Sequence, residues 1–242
     1  MFRLLKADEI DVRVSQIEKN WCTLLLYKDA RVDMNILDET VGAMNWQKHY
    51  SRDNANCIIS IWDEEKKQWV EKEDTGTESF SEAEKGLASD SAKRSGFCWG
   101  IGRELYTSPS IFVIPNKNMI PKGKESEFFE YKKTNDKVVY TTKTRFYVDL
   151  IGYDEDRNIN DLVIRDNKGN VRFEQLTDKT AKELSKEFDK ICKLVDKNEE
   201  KDEKFDREDF YKYFKVSSSN QLNAKQRKLA IMLLEKRLKE SE

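Results

Sequence analysis

The stretch "SDSAKRSGFCWGIGRELY", Ser89 to Tyr106, opens as small residues carrying two adjacent cations, Lys93 and Arg94, and closes on Gly96, Gly100 and Gly102 among large aromatics. No proline interrupts Ser79 to Phe97, where Ala83, Leu87, Ala88 and Ala92 sit among Gly86, Ser89, Ser91 and Ser95. That pattern predicts a helix whose small side chains let its backbone come close to a neighbouring layer. The glycines follow the helix instead of opening it, and no GxxxxGK[ST] is present, so they read as helix termination and a tight turn, not as a phosphate cradle.

The layer for this helix to pack on lies just before it. "NWQKHYSRD", "NCIISIWDEEKKQW" and "QWVEKEDTGT" are aromatic and β-branched runs separated by charged turns, and Cys57, Ile59 and Ile61 alternate as in a half-buried strand. We read an antiparallel meander. Further upstream, after a polar start, "WCTLLLYKD" (Trp21 to Asp29) predicts a short buried strand. "ARVDMNILDETVG" then predicts a helix stopped at Gly42. Downstream, "KTRFYVDLIGYD" alternates around Phe146, Val148 and Leu150, and "DLVIRDNKGNVRFEQ" reads as a hairpin turning at Asn167 to Asn170. Between the two β regions, Asn116 to Lys143 reads as a Lys-rich excursion or mobile loop. Beyond Leu176, Leu184, Phe188, Ile191 and Val195 form one helical apolar stripe. "DKNEEKDEKFD" reads as a solvated linker, and "NAKQRKLAIMLLEKRLKE" as a short amphipathic helix carrying Leu229, Met232 and Leu233. The expected fold class is α+β: an antiparallel β-β-β-α core, a second β region and a helical C-terminal tail. The expected division is 1–175 for the core and 176–242 for the tail, with no internal repeat.

Composition narrows the function. The chain of 242 residues has 38% hydrophobic and 37% charged residues and a formal net charge of -2, so overall basicity does not argue for a nucleic-acid partner, and any such site must be a local cluster of Lys and Arg. So many charges imply segments with no core of their own. Cys22, Cys57, Cys98 and Cys192 lie far apart without a CxxC pair, and His49 is the one histidine, which argues against structural zinc and against a nucleophile–histidine site. His49 reads as a strand-face residue. Acidic residues interrupt "MFRLLKADEIDVRV" before a signal-peptide core forms, and no apolar run reaches membrane-spanning length, so a cytoplasmic protein with reduced thiols is expected. Carboxylates such as Glu64, Glu65, Glu71, Glu73 and Asp74 can be fitted to a metal-dependent nuclease, but in a chain this charged such matches arise by chance. No catalytic residue, metal or cofactor is expected.

Lys85, Lys93 and Arg94 are cations that a small-residue helix does not need for packing. On an ideal helix Lys85 and Lys93 lie about 80° apart and Arg94 about 180° from Lys85, so one face does not hold all three. Arg94 is also spaced i,i+4 from Asp90, and an ion pair there is the plainer alternative.

The combination of "LDETVG" followed by "NW", then "KEDTG", "SDSAKR" and "WGIGRELY", within Leu37 to Tyr106, resembles the core of the Rad fifty-two family of single-strand annealing proteins, closest to its phage-encoded Sak branch. The resemblance spans roughly residues 20 to 115 and loosens towards 175. It implies a β-β-β-α core assembling side by side into a homo-oligomeric ring or helical array. Single-stranded DNA would lie in a basic groove, and complementary strands would anneal without ATP or covalent chemistry. Position by position, it implies that Arg31 in "KDARVDMN", Lys85 in "EAEKGLASD", and Lys93 and Arg94 in "SDSAKR" form the inner DNA groove. Two helices and neighbouring subunits then supply cations that one helix face does not.

This sequence departs from the family pattern in two places. The second, outer DNA site falls on "DEEKKQWVEKEDTGTESFSEAE", where carboxylates dominate around Lys66 and Lys67; Arg103, or Tyr131, Lys132 and Lys133 in the Lys-rich stretch, are the other secondary candidates. Beyond 175 the resemblance ends. The C-terminal helix reads either as a binding surface for a single-strand-binding protein or recombination nuclease, or as a helix packed on the body. An alternative function is therefore an oligomeric recombination adaptor.

Overall fold

The computed structural model describes residues 1–77, 83–134 and 137–240, the side chains of 83–85, 133, 134 and 137 excepted. It is a mixed α+β structure whose sheets pair antiparallel wherever register is defined and whose last element is a helix. The chain forms two compact units, Met1–Asp11 with Leu26–Pro109 and Val12–Leu25 with Ser110–Glu242. In sequence, β1 (Ile10–Ile17) and β2 (Cys22–Lys28) have residues in both.

In the first unit, Asp29 caps helix α1 (Ala30–Val41) by accepting the Arg31 N–H at 2.8 Å, and Gly42, at φ +86°, ends it as expected. The meander is present as β3 (Trp46–Ser51), β4 (Asn56–Asp63) and β5 (Gln68–Thr75), with Lys48 opposite Ile59 and Ile59 opposite Lys72. Cys57, Ile59 and Ile61 are buried, and helix α2 (Ala83–Trp99) packs on β4 and β5. Its small residues do what their size predicts. The buried Ser91 and Ser95 hydroxyls donate to the carbonyls of Asn54 (3.1 Å) and Lys72 (2.9 Å), and the Trp99 indole donates to Ile59 O at 3.0 Å. Contact is closest at Gly76, where a Cβ would stand 2.5 Å from the Ser91 backbone nitrogen. Gly76→Ala must therefore push α2 off the sheet. We expect a loss of about 1–3 kcal/mol in the first unit, the range for overpacking a tight core, read as a lowered urea midpoint.

The second unit is built on a six-stranded sheet ordered β11-β10-β9-β1-β2-β6, from β6 (Ile111–Val113), β9 (Phe146–Tyr153), β10 (Ile159–Asp166) and β11 (Val171–Gln175) with the first hairpin. The β10–β11 hairpin is the expected one, with Gly169 at φ +83° in its turn. The ends of this sheet approach each other, and Arg172 of β11 donates to Ile114 O at 2.8 Å. Arg172 also pairs with both Glu127 oxygens at 2.9 Å and with Asp166 at 3.3 Å, all three side chains being almost fully buried. Three helices follow: α3 (Asp178–Lys201), α4 (Arg207–Tyr213) and α5 (Ala224–Glu240), around a core of Ile191, Val195, Tyr211, Phe214, Leu222, Ala230 and Leu234.

Three sequence readings change here. Asn116–Lys143 is not a mobile loop: it contains a hairpin, β7 (Phe129–Thr134) with β8 (Lys137–Thr141), preceded by the buried Glu127 and Phe128. The acidic linker is largely helix, because α3 runs on to Lys201 with Asn198 buried and its amide donating to Leu234 O, and Phe205 packs on the core of the three helices. The boundary at 175 also moves. Asp161 of β10 accepts the Thr177 N–H at 2.6 Å at the start of α3, and Asp149 of β9 joins Arg165 of β10 to Arg227 of α5, so the second β region forms one unit with the tail. Charge is accordingly not confined to segments lacking a core, since Asp149, Arg165, Asp166 and Arg227 are all buried. The four cysteines are free, and burial pushes the Cys22 and Cys57 thiols up to about 12 and about 11. Among the described residues no helix is long and apolar enough to cross a membrane.

Candidate nucleic-acid interface

The first unit contains a buried ion pair. Lys28, the last residue of β2, and Asp33 of α1 are 1% and 3% exposed, and the Lys28 ammonium donates to Asp33 Oδ1. Lys28 Nζ also lies 4.4 Å from the centroid of the Phe97 ring on α2. The glycines after "AKRS" make this seat. A Cβ on Gly96 would stand 3.0 Å from the Asp33 carboxyl carbon, and one on Gly102 would fall on the Lys28 side chain. Gly100, at φ +90°, ends α2, so helix termination accounts for one glycine and the buried pair for the other two. Burial pushes the Asp33 carboxyl up to about 6 in spite of Lys28, and burial lowers the Lys28 ammonium.

The candidate groove cations Arg31 on α1 and Lys93 and Arg94 on α2 are more accessible than Lys28. Arg31 is 81% exposed at its side chain and forks onto Asp29 through Nε and Nη2, both at 2.9 Å, which holds Asp29 down at about 2. Lys93, half-buried on α2, lies within electrostatic reach of Lys28, Asp29, Asp33 and Asp90, and α2 packs against the α1 that carries Arg31. Arg94 is turned elsewhere. Its Nε donates to Asp90 at 2.9 Å, as the i,i+4 spacing suggests, and Asp90 also accepts the Thr77 N–H at 3.0 Å. Burial alone would raise Asp90, but the Thr77 N–H and Arg94 together keep it below the ordinary carboxylate range. Tyr106 is an exposed ring set edge-on to Phe97 at 5.1 Å. Lys85 lies on α2, with its side chain outside the described residues.

The secondary candidates lie on separate elements. Lys66 and Lys67 pair at i,i+3 with Asp63 (3.0 Å) and with Glu64 in the exposed β4–β5 turn. Arg103 closes the end of α2, donating to the carbonyls of Phe97 (2.6 Å) and Cys98 (2.8 Å). Tyr131 and Lys132 are exposed on β7 in the second unit, and Lys133 there has a side chain outside the described residues. His49 is exposed on β3. Among the described residues no three His, Cys, Asp or Glu side chains are placed as a metal-ligand set.

Sequence reasoning missed Lys28, Asp33 and Tyr106. For the pair, the signal was Lys28 ending an apolar strand five residues before a helix-face Asp33; for Tyr106 it was a large aromatic just past a glycine turn. No protein-family model, curated protein or solved structure matches the chain.

Proposed function

We propose that the chain binds single-stranded DNA through its phosphates and anneals complementary strands without ATP, as an oligomeric annealing protein of the Rad fifty-two-like, phage Sak type that its motifs resemble. One observation carries the reading. Arg31 of α1 is exposed and paired with Asp29, and Lys93, half-buried on the adjoining α2, lies within electrostatic reach of Asp29 and of the buried Lys28–Asp33 pair. Phosphate contacts of this kind hold a strand without reading its sequence and leave the bases free to pair. Exposed Tyr106, set edge-on to Phe97, supplies a ring of the kind on which a base stacks. With so few contacts per subunit, affinity must come from many linked sites, which is why the reading includes an array.

The test is annealing of two complementary fluorescent oligonucleotides, with single-strand affinity measured against salt. Arg31→Ala and Lys93→Ala are each expected to weaken binding of all sequences and to flatten the slope of log K against log salt by about 0.7, the value for one lost phosphate contact on a single strand. Unchanged slopes in both variants, with the oligomer intact, would remove the groove assignment. Deleting the tail is not a clean way to separate this reading from the adaptor, since Arg227 of α5 is buried on Asp149. The adaptor reading draws on the hollow between α4 and α5, of about 530 Å³, where Phe205, Phe210 and the exposed Tyr213 come together. Tyr213→Ala leaves an annealer's rate unchanged and disables an adaptor.

A further inference from the structure

Helix α3 repeats lysine with helical period: Lys179, Lys182, Lys186, Lys190, Lys193 and Lys197. At 100° and 1.5 Å per residue these six fall within an arc of roughly 80° and extend along about 27 Å, near one lysine per turn. All six are exposed. The opposite side of the helix is closed, with Ile191 and Val195 buried in the core shared with α4 and α5.

The helix carries as many acids as lysines; three of them are engaged by arginines, while Glu183, Asp189 and Glu200 lie within or beside the lysine arc and leave it with a smaller net positive charge. Asp196 and Glu199 bind Arg207 at 2.5 and 2.6 Å, and Glu187 binds the buried Arg227 at 2.7 Å. Of the lysines, Lys190 reaches Glu235 of α5 at 2.7 Å, whereas Lys182, Lys186, Lys193 and Lys197 make no ion pair among the described residues. The Lys190–Glu235 bridge joins α3 to the exposed side of α5, where Lys228, Lys236 and Lys239 line a hollow. In a chain of net charge -2, the second unit thus presents a two-helix basic face.

We infer that this α3 lysine face is a second nucleic-acid surface, binding the phosphate backbone of a DNA strand independently of the Arg31 and Lys93 site in the other compact unit. Three features select a polyphosphate backbone as the occupant. The charge repeats regularly over several turns, matching a linear polyanion. The cations are lysines, point charges suited to contacts that ignore base sequence. The face also lacks the apolar flank of a membrane-surface helix and the aromatic anchors of a peptide site, Met232 of α5 being its large exposed hydrophobe among the described residues. The phosphate contact stands on the face alone. Its use, holding the complementary strand while the other unit holds the first, rests on the annealing reading.

The test uses the full chain and a thymidine oligonucleotide, with binding followed across a salt series. In the variant Lys182→Gln, Lys186→Gln, Lys193→Gln, Lys197→Gln, the slope of log K against log salt is expected to flatten by about 2–3, and the four lysine-to-arginine changes should restore it. These side chains are exposed, so the unfolding midpoint serves as the control for fold. An unchanged slope in the glutamine variant overturns the inference. If Arg31→Ala, Lys93→Ala then still abolishes binding, the proposed function survives without it. The reverse result, loss only in the glutamine variant, keeps this surface and removes the inner groove. Retained DNA binding with loss of binding to polyglutamate or to phosphatidylserine vesicles also overturns the inference, by assigning the face to another polyanion.

Discussion

Asp149→Ala is expected to destabilise the second unit by about 3–5 kcal/mol, enough to consume much of the stability of an ordinary domain. The carboxylate is 7% exposed and ties its own strand to two other elements. Its Oδ2 accepts from Arg165 of β10 at 2.7 Å and from Arg227 of α5 at 3.3 Å, and its Oδ1 accepts the Ala224 N–H at 2.7 Å, at the first turn of α5. Removing it leaves two guanidiniums buried without that counter-charge. Their remaining partners are largely carbonyls, Gly169 and Asn220 for Arg165 and Leu222 for Arg227, with the Glu187 side chain as the other acceptor. A neutral acceptor satisfies an N–H but not a net charge in a low-dielectric site. Hydrogen exchange is the informative readout: protection should fall across β9, β10 and α3 to α5 while α1 and α2 keep theirs. A loss under 1 kcal/mol would mean that Asp149 is dispensable as the joint between sheet and tail.

Lys28→Met is the second large effect. Methionine fills a similar volume, but Asp33 is left buried with no ammonium on it, and the expected loss is again about 3–5 kcal/mol near neutral pH. The pH dependence identifies the cause. Asp33 already has a folded-state carboxyl pushed up to about 6 from 3.8 by burial, so the folded form holds a proton that the unfolded chain has released. Stability from this group is therefore fully present below about 4 and is lost as pH rises through about 6. Without Lys28 the folded value must rise further, so the gap between variant and wild type should be small in acid and widen towards pH 7. Other carboxylates of the first unit act with the opposite sign: Asp29 is held near 2 and Glu9 is lowered. Only the difference between the two curves is diagnostic for that reason. Adding Asp33→Leu to Lys28→Met should recover most of the loss, because an apolar pair replaces an orphaned charge. A pH-independent deficit, or no recovery in the double variant, would assign the effect to packing.

Much of the first unit was legible because its signals are local. Gly42 stops α1, Cys57, Ile59 and Ile61 alternate along β4, and small residues mark α2. β1 was missed since its alternation, Val12 and Val14 against Arg13 and Ser15, is carried by few apolar residues in a polar setting. The second unit was harder for a different reason. Asn116–Lys143 and 196–206 read as solvated from their charge, but Glu127 and Asn198 are buried on partners distant in sequence: Arg172 is 45 residues from Glu127, and Leu234 is 36 from Asn198. Periodicity does not reveal a charge whose burial depends on a partner that far away. At the candidate site, Arg94 with Asp90 followed from helix geometry, whereas the electrostatic reach of Lys93 to Asp29 and Asp33 depends on tertiary packing that helix geometry does not give.

The burial of Arg172 with Glu127 and Asp166 bears on how the protein can be handled. Their side chains are 3%, 0% and 0% exposed, out of reach of dissolved ions. In 1 M salt the Debye length is about 3 Å, so exposed cations on Arg31 and along α3 lose their hold on any bound polyanion while these interior pairs keep theirs. A concentrated salt wash should strip carried-over nucleic acid from the immobilised protein and leave the fold ready for reuse, making ionic strength a reversible elution lever.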